Sequence, residues 1–192
     1  MMDKSLSTPG SKDHRKTARR ARPDRRASVR LTPERRLGFG RRAEDRAKAA
    51  LLEKKLSAAL TKAEAFGPTD PRLADALHEL GAFYYKLGKY AEAASLHERC
   101  LAIRQGAERP TYADLIQSLN DLARVYYAQG QYTATEPLAE EVVRVQERLH
   151  GPDDPNIVQA LENYADVLKI RGREKDASTV SARAKSIRAQ QR

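Results

Sequence analysis

From about residue 70 onward, apolar stripes alternate with short polar segments along the chain. Leu119, Leu122 and Tyr126 form one stripe with helical spacing, and a second stripe runs through residues 132–145. A spacing of i, i+3, i+4 is typical of a helix with one buried face. A single glycine, Gly130, lies between the two stripes. This pattern predicts two helices joined by a tight turn.

The same pattern recurs 42 residues upstream and 42 residues downstream, without insertion or deletion. Equivalent positions are occupied by Leu77, Leu119 and Leu161, and by Gly88, Gly130 and Gly172. A constant period of this length is typical of a solenoid, in which each helix pair buries its apolar face against its neighbours. We therefore predict helix pairs at 71–87 with 90–105, 112–129 with 132–149, and 155–171 with 174–190.

The borders of the predicted helices carry residues that start and stop helices. Glycine closes a helix in the left-handed conformation at little cost, whereas most other residues lose roughly 1 kcal/mol or more. Asp70-Pro71 and Asp154-Pro155 place a capping acceptor before a proline at the first helical position. In the middle pair, Thr111 predicts a variant of the same cap, with Asp114 three residues on.

These residues resemble the tetratricopeptide repeat in its longer, kinesin-light-chain form. The resemblance rests on Leu-Asn-Asp-Leu-Ala at 119–123 with Tyr126, Gly130 and Tyr132, and on the linker Gly-Pro-Asp-Asp-Pro at 151–155. It implies an all-α fold, an α-solenoid of antiparallel helix pairs. Within 67–192 it implies three repeats, at about 71–108, 112–150 and 155–192. The sequence departs from the family pattern at Arg109, Thr135 and Glu174.

Two further segments precede the repeats. Residues 1–42 are poor in apolar side chains and rich in arginine, lysine, serine and proline, so we predict a disordered basic tail. Residues 43–66 are rich in alanine and leucine and predict a helix that caps the apolar side of the first repeat. The apolar positions of this helix are Leu51, Leu52, Leu56, Ala59, Leu60 and Ala63.

The positive charge is concentrated in the tail. The formal net charge is +10, and residues 1–42 hold 14 basic and 4 acidic residues, so the repeats are electrically balanced. Paired arginines on a flexible arm favour binding to a polyanion, either nucleic acid or an anionic membrane surface, through counterion release. The residues of this predicted site are Arg19, Arg20, Arg25, Arg26, Arg35, Arg36, Arg41 and Arg42. The alternative is a solvated tail that binds nothing.

The first helix of each pair lines the inner surface of a curved solenoid, so its unpacked side chains are candidates for partner binding. By resemblance to the family, Asn120 and Asn163 match paired asparagines that bond the backbone of a bound peptide. Tyr85 and Tyr127 lie one repeat apart and either hold a peptide side chain or pack against the second helix. The predicted groove residues are His78, Tyr85, Asn120, Arg124, Tyr127, Glu162, Asn163, Asp166 and Lys169.

The sequence offers little for catalysis. Four histidines are scattered over the tail, an inner helix, an outer helix and a linker. His97 and Cys100 stand three residues apart and could share a metal, but Cys100 falls where the repeat needs a small packing residue. Gly38-Phe39-Gly40 lacks the Lys-Ser of a phosphate-binding loop. We predict no enzyme activity, no cofactor and no metal.

The sequence as a whole predicts a protein–protein interaction module that binds a peptide or helix of a partner protein in its concave groove. The basic tail would tether that complex to a polyanion. The alternative is a nucleic-acid-binding protein that acts through its N-terminal arm, with the repeats serving assembly. One cysteine allows no internal disulfide, and no apolar run is long enough to cross a membrane, so we predict a cytoplasmic location.

Overall fold

The computed structural model describes residues 43–108 and 110–190. Within these residues the chain is all-α and contains no strand, as predicted. The helices are α1 (Ala43–Glu64), α2 (Pro71–Leu87), α3 (Tyr90–Gly106), α4 (Tyr112–Ala128), α5 (Tyr132–His150), α6 (Val158–Ile170) and α7 (Glu174–Ala189), and a short 3-10 helix, Pro155–Ile157, leads into α6. The predicted disordered tail lies outside the described residues.

The helices stack in chain order. The pairs α2/α3, α4/α5 and α6/α7 make the most extensive contacts, α3 packs on α4, and α5 packs on α6. The first helices of the first two pairs also approach each other, since α2 contacts α4, whereas α3 makes no contact with α5. The α2 and α4 side is therefore the tighter side of the stack. This arrangement confirms the predicted α-solenoid of antiparallel helix pairs.

The three repeating glycines close the first helix of each pair. Gly88, Gly130 and Gly172 have φ angles of 78°, 75° and 76°. In the first pair the N–H of Gly88 donates to the carbonyl of Tyr85 at 3.0 Å, and the next N–H donates to Tyr84 at 2.9 Å. This bonding satisfies the last carbonyls of the helix and requires a residue that tolerates positive φ. The predicted stop signal is confirmed at all three positions.

The predicted caps are confirmed in two of three cases. Asp70 accepts a hydrogen bond from the backbone N–H of Arg72, and Asp154 accepts one from the backbone N–H of Asn156. The carboxyl of Asp70 also bonds the side chain and backbone of Arg72, and these contacts lower its pKa to about 2. Thr111 occupies the N-cap position of α4, but its side chain makes no capping bond, so that prediction was wrong.

The apolar core divides into two clusters. The larger runs from α3 through α7 and includes Leu119, Val142 and Leu161. The smaller joins α1, α2 and α3 and includes Ala63 and Leu77. Both clusters include residues of α3, and polar side chains are buried where α3 meets α4.

Helix α1 packs on α2 with one of its faces. Ala63 is buried, and Leu60 packs beside it against the smaller core cluster. Leu51 and Leu52 instead remain 56% and 42% exposed. The apolar residues predicted on α1 are therefore not all buried, because they lie on adjoining faces of the helix and only one face meets α2.

Candidate binding groove

The nine predicted groove residues all lie on the first helices of the three pairs, and none is fully buried. Arg124 and Lys169 are exposed, and the other seven are half-buried. Half-burial leaves part of each side chain accessible to a partner. The structure divides these residues into two groups, one around the α2–α4 contact and one around α6 and α7.

The α6–α7 group lines a cleft of about 710 Å³, which we call the terminal cleft. Four of the predicted groove residues contribute to it, namely Glu162, Asn163, Asp166 and Lys169. The remaining lining residues are Gln159, which the sequence also places on the inner face of α6, and five residues of α7 that sequence reasoning missed, namely Ser178, Ser181, Ala182, Lys185 and Arg188. Small side chains on α7 make room for the cleft between the two helices.

The position of Lys185 explains why the terminal cleft is open and polar. In the 42-residue register it is equivalent to Leu101 and Val143, which are buried in the core. Lys185 is exposed instead. The surface that is apolar in the first two repeats therefore carries a charge in the third, and comparison of the three copies in sequence could have identified it.

Most charges in the terminal cleft are paired. Glu162 contacts the guanidinium of Arg188 at 2.8 Å, and Asp166 contacts Lys169 at 3.3 Å. Among the residues that the structure describes, no ion pair is recorded for Lys185. The cleft thus holds two carboxylates and three cations, and its excess positive charge lies on α7.

Asn120 and Asn163 face the same small gap between α4, α5 and α6. The gap has a volume of about 10 Å³, at the lower limit for one water molecule, and Thr135 also lines it. Asn163 further accepts a hydrogen bond from Gln159 at 2.9 Å, with its side-chain oxygen as the acceptor. The structure therefore brings the two predicted asparagines together at one repeat interface.

The tyrosines of the groove pack against the second helix of their own repeat. The ring centroids of Tyr85 and Tyr90 lie 5.5 Å apart, and those of Tyr127 and Tyr132 lie 5.3 Å apart. The guanidinium of Arg124 lies 5.3 Å from the centroid of the Tyr85 ring. Both tyrosines remain half-buried, so packing and access to the groove coexist.

A cluster that the sequence did not predict lies beside the α2–α4 contact. We call His78, His97 and Asp121 the buried polar cluster. The Nδ1 atom of His78 lies 3.1 Å from Oδ2 of Asp121, and the His78 and His97 rings stand edge to face with centroids 5.9 Å apart. The expectation that the histidines are scattered was therefore wrong for this pair, because α2 and α3 pack face to face.

Gly81 makes room for the cluster. A Cβ atom at this position would lie 2.9 Å from Cε1 and Nε2 of His97. In the second repeat the equivalents of Gly81 and His97 are Ala123 and Ala139. The first repeat therefore places a large histidine opposite a glycine, where the second repeat places two alanines opposite each other. This difference between the copies is the sequence signal that sequence reasoning missed.

Burial controls the charges in the cluster. Burial lowers the pKa of His97 to about 4, although the negative charge of Asp121 opposes the shift. For Asp121, burial acts to raise the pKa, but the contact with His78 and the positive charge of Arg124 outweigh it and lower the pKa. At neutral pH the cluster therefore holds the neutral imidazole of His97 near the ionised carboxylate of Asp121.

Cys100 is a packing residue, as its position in the repeat predicted. It is fully buried, and its Sγ lies 3.6 Å from Oγ of Ser118. Burial raises the pKa of its thiol. Arg104 completes this polar interface by donating to Ser118 at 2.8 Å and to Asp75 at 3.1 Å. His97 thus contacts the ring of His78 and lies within electrostatic reach of Asp121, whereas Cys100 contacts Ser118.

The predicted polyanion-binding arginines of the tail and the linker residue Arg109 lie outside the described residues. Within those residues, no helix combines the length and apolar character needed to cross a membrane.

Stacked antiparallel helix pairs with a lined inner surface define an α-solenoid repeat protein. Two models described as Tetratricopeptide repeat match residues 73–107 and 114–190, together more than half of the chain. The chain belongs to the tetratricopeptide repeat family. It is a protein-interaction module, the role in which these helical repeats serve.

Solved structures with the same fold include kinesin-light-chain-related repeats. The Podosopora anserina putative kinesin light chain with nearly identical TPR-like repeats matches with a TM-score of 0.66 and 23% identity over 78% of this chain and 71% of that chain. BtubC (BKLC) from P. vanneervenii matches with a TM-score of 0.64 and 22% identity over 77% of this chain and 59% of that chain. At these identities the likeness concerns the fold. A comparison with curated protein sequences finds no match.

Proposed function

We propose that the protein binds a peptide or helical segment of a partner protein in the groove along α2, α4 and α6, with the terminal cleft as its principal site. The observation that carries this proposal is the cleft of about 710 Å³ that four predicted groove residues line. A volume of this size lies within the range of sites that enclose a small ligand or several side chains. Recognition would be non-enzymatic.

The chemistry of the terminal cleft favours a polar partner segment that carries a carboxylate. The amide of Asn163 both donates and accepts, so it matches the backbone of an extended peptide. The ammonium group of Lys185 makes no ion pair among the described residues, whereas Glu162 and Asp166 are already paired. A carboxylate placed near Lys185 would restore the pairing seen elsewhere in the cleft.

The proposal is tested by selecting peptides from an unbiased displayed library on the immobilised full chain and measuring their affinities for variants. Asn163→Ala and Lys185→Glu are expected to weaken selected peptides by about 10-fold or more, the scale of one or two lost charge-assisted bonds. Lys175→Glu is the matched control, because Lys175 is an exposed lysine of α7 outside the cleft.

Equal weakening by Lys185→Glu and Lys175→Glu would show a general charge effect and exclude the terminal cleft. Retained affinity in both Asn163→Ala and Lys185→Glu would exclude it as well. The melting temperature of each variant is measured in parallel, because a loss of folding would move Asn163 from the binding residues to the packing residues.

We further propose that the tail tethers the bound complex to a polyanion. The supporting observation is that the whole net charge of +10 lies in residues 1–42. Deleting these residues should leave peptide binding intact. It should abolish binding to a DNA duplex or to phosphatidylserine vesicles. In the undeleted chain, the logarithm of the duplex affinity should fall with the logarithm of the salt concentration, with a slope of about −0.9 per phosphate neutralised. Duplex binding that survives the deletion would contradict the tether. We place this function in the cytoplasm, and the free Cys100 is compatible with that reducing compartment.

A further inference from the structure

The buried polar cluster contains the elements of a metal site. One atom each from His78, His97 and Asp121 can be chosen so that all three atoms lie within 4.8 Å of one another. The ligands of a tetrahedral Zn²⁺ stand roughly 3.3 Å apart, since Zn–N and Zn–O bonds are about 2.0–2.2 Å long. The distance of 3.1 Å between Nδ1 of His78 and Oδ2 of Asp121 already matches this spacing.

The buried polar cluster offers its atoms few hydrogen-bond partners. Nδ1 of His78 and Oδ2 of Asp121 are buried and contact each other at 3.1 Å, and Nδ1 of His97 is buried without a hydrogen-bond partner among the described residues. His97 is 1% exposed and Asp121 is 7% exposed, so water cannot easily replace a missing partner. Leaving a buried polar atom unsatisfied typically costs about 1–3 kcal/mol. A cation shared by the three residues would bind the carboxylate of Asp121 and an imidazole nitrogen of each histidine at once.

We propose that His78, His97 and Asp121 bind one divalent transition-metal ion, with Zn²⁺ as the representative, at the interface between the first and second repeats. Two imidazoles and a carboxylate suit Zn²⁺ and neighbouring first-row cations, whereas Mg²⁺ and Ca²⁺ prefer oxygen ligands alone. A water molecule or a group of a bound partner would complete the coordination, because His78 is half-buried on the inner helix face.

The surroundings of the cluster support the ligands. Gln117 lies 3.3 Å from Nε2 of His78 and fixes the orientation of this ring. Arg124 donates to Asp121 through Oδ1, which leaves Oδ2 for the metal. Hydrogen bonds that hold ligands in place from behind are the usual outer shell of a metal site. The positive charge of Arg124 lowers the affinity of the cluster for a metal cation, but it also keeps the carboxylate of Asp121 ionised.

The ion would act as a clamp between repeats. His78 lies on α2, His97 on α3 and Asp121 on α4, so the coordination joins the first helix pair to the second. The second and third pairs lack this set. Their equivalents of the three ligands are Asn120, Ala139 and Asn163. The two repeat interfaces of one chain therefore differ in whether they can hold a metal.

The test uses the full chain, purified without a histidine tag, stripped with a chelator and titrated with ZnCl₂ by isothermal calorimetry. We expect one Zn²⁺ per chain and a higher melting temperature in its presence. Removal of an outer-shell partner typically weakens a site 10- to 100-fold, so removal of a ligand in His78→Gln or Asp121→Asn is expected to weaken binding by about 100-fold or more.

Two control variants and a spectrum locate the site. His150→Gln removes an exposed histidine of α5, and Cys100→Ser removes the thiol on α3; both should bind Zn²⁺ as the unaltered chain does. Co²⁺ should give the visible absorption of a site with nitrogen and oxygen ligands, without a thiolate charge-transfer band. Circular dichroism verifies that each variant is folded, and His78→Gln is the safest variant because this side chain is only half-buried.

The outcomes are decisive in both directions. Failure of the unaltered chain to take up Zn²⁺ or Co²⁺ overturns the proposal. Undiminished affinity in folded Asp121→Asn, loss of binding in His150→Gln, or a thiolate band with Co²⁺ would each move the metal elsewhere and overturn this ligand set. Loss of binding in both ligand variants with both controls intact supports it.

Discussion

The interface between the first and second repeats is built differently from the interface between the second and third. At the first interface, where α3 meets α4, the buried residues include His97, Arg104, Ser118 and Asp121. At the second, where α5 meets α6, the equivalents of Cys100 and Ser118 are Val142 and Ala160, which lie in the apolar core. One backbone geometry thus accommodates both a polar and an apolar seam.

The difference shows that the repeat tolerates either kind of seam if sizes and partners match. An apolar seam gains stability from area removed from water, about 25 cal/mol per Å². A polar seam depends on pairing, because each buried group must find a partner. Arg104 satisfies this need with the backbone oxygen of Asp114 at 3.1 Å, besides Ser118 and Asp75. The second seam also buries one carboxylate, that of Glu136, which pairs with Arg171 and Arg173.

The largest expected effect is at the apolar seam. Leu161→Ala should lower the free energy of unfolding by about 2–5 kcal/mol, because Leu161 is buried in the larger core and truncation leaves a cavity. Chemical denaturation measures the change. Ile170→Ala is the control on the same helix, since Ile170 is 43% exposed. A loss below about 0.5 kcal/mol, the scale of surface substitutions, would contradict the assignment of Leu161 to the core.

The polar seam should respond to pH. The folded-state pKa of His97, about 4, lies below its ordinary 6.5, so the folded chain binds fewer protons than the unfolded chain. Its contribution is complete above about pH 6.5 and is lost as pH falls toward 4, by about 3 kcal/mol in total. The charged and titratable groups facing it are His78 on α2, Arg104 on α3, and Asp121 and Arg124 on α4.

Denaturation of the chelator-treated chain between pH 7 and 4 measures this loss. The comparison is the double variant Gly81→Ala/His97→Ala, which has no titrating group at this position and should show a shallower decline. Parallel pH curves for the two proteins would contradict a buried neutral His97.

A smaller effect is expected when the size match at the polar seam is broken. Gly81→Ala places a methyl group 2.9 Å from the buried His97 ring, which should cost about 1–3 kcal/mol by overpacking, less about 1 kcal/mol from better helix propensity. Adding His97→Ala should recover part of the loss, because it reproduces the Ala123 and Ala139 pair of the second repeat. A double-mutant cycle in chelator measures the coupling, and additive losses would argue against the contact.

The smallest effect concerns the helix starts. Asp154→Ala should cost about 1 kcal/mol, because this carboxylate accepts the N–H of Asn156 at 2.7 Å. Thr111→Ala at the matching position of α4 should cost less, since the Thr111 hydroxyl makes no capping bond. Thermal unfolding of the two variants measures the difference. A larger loss for Thr111→Ala would show that its hydroxyl caps α4 in solution.

Much of the fold is readable without coordinates. The helix borders follow from Gly88, Gly130 and Gly172 and from the Asp-Pro caps, because these signals act on the adjacent turn. Thr111 shows the limit of such reasoning, since a residue can occupy the cap position while its side chain makes no capping bond. The predicted groove residues lie on the first helices of the pairs, but the α7 side of the terminal cleft was missed, because it depends on Lys185 at a position that Leu101 and Val143 occupy in the first two copies.

The all-α solenoid follows from the sequence alone, since a 42-residue period and its glycine stops encode interactions between neighbours in the chain. Which polar side chains meet depends on how the helices pack in three dimensions. His78, His97 and Asp121 come from three different helices, and no spacing rule links them. Their convergence depends on how closely α2 approaches α3, and that distance is set by the absent side chain of Gly81 and the bulk of His97 across the contact.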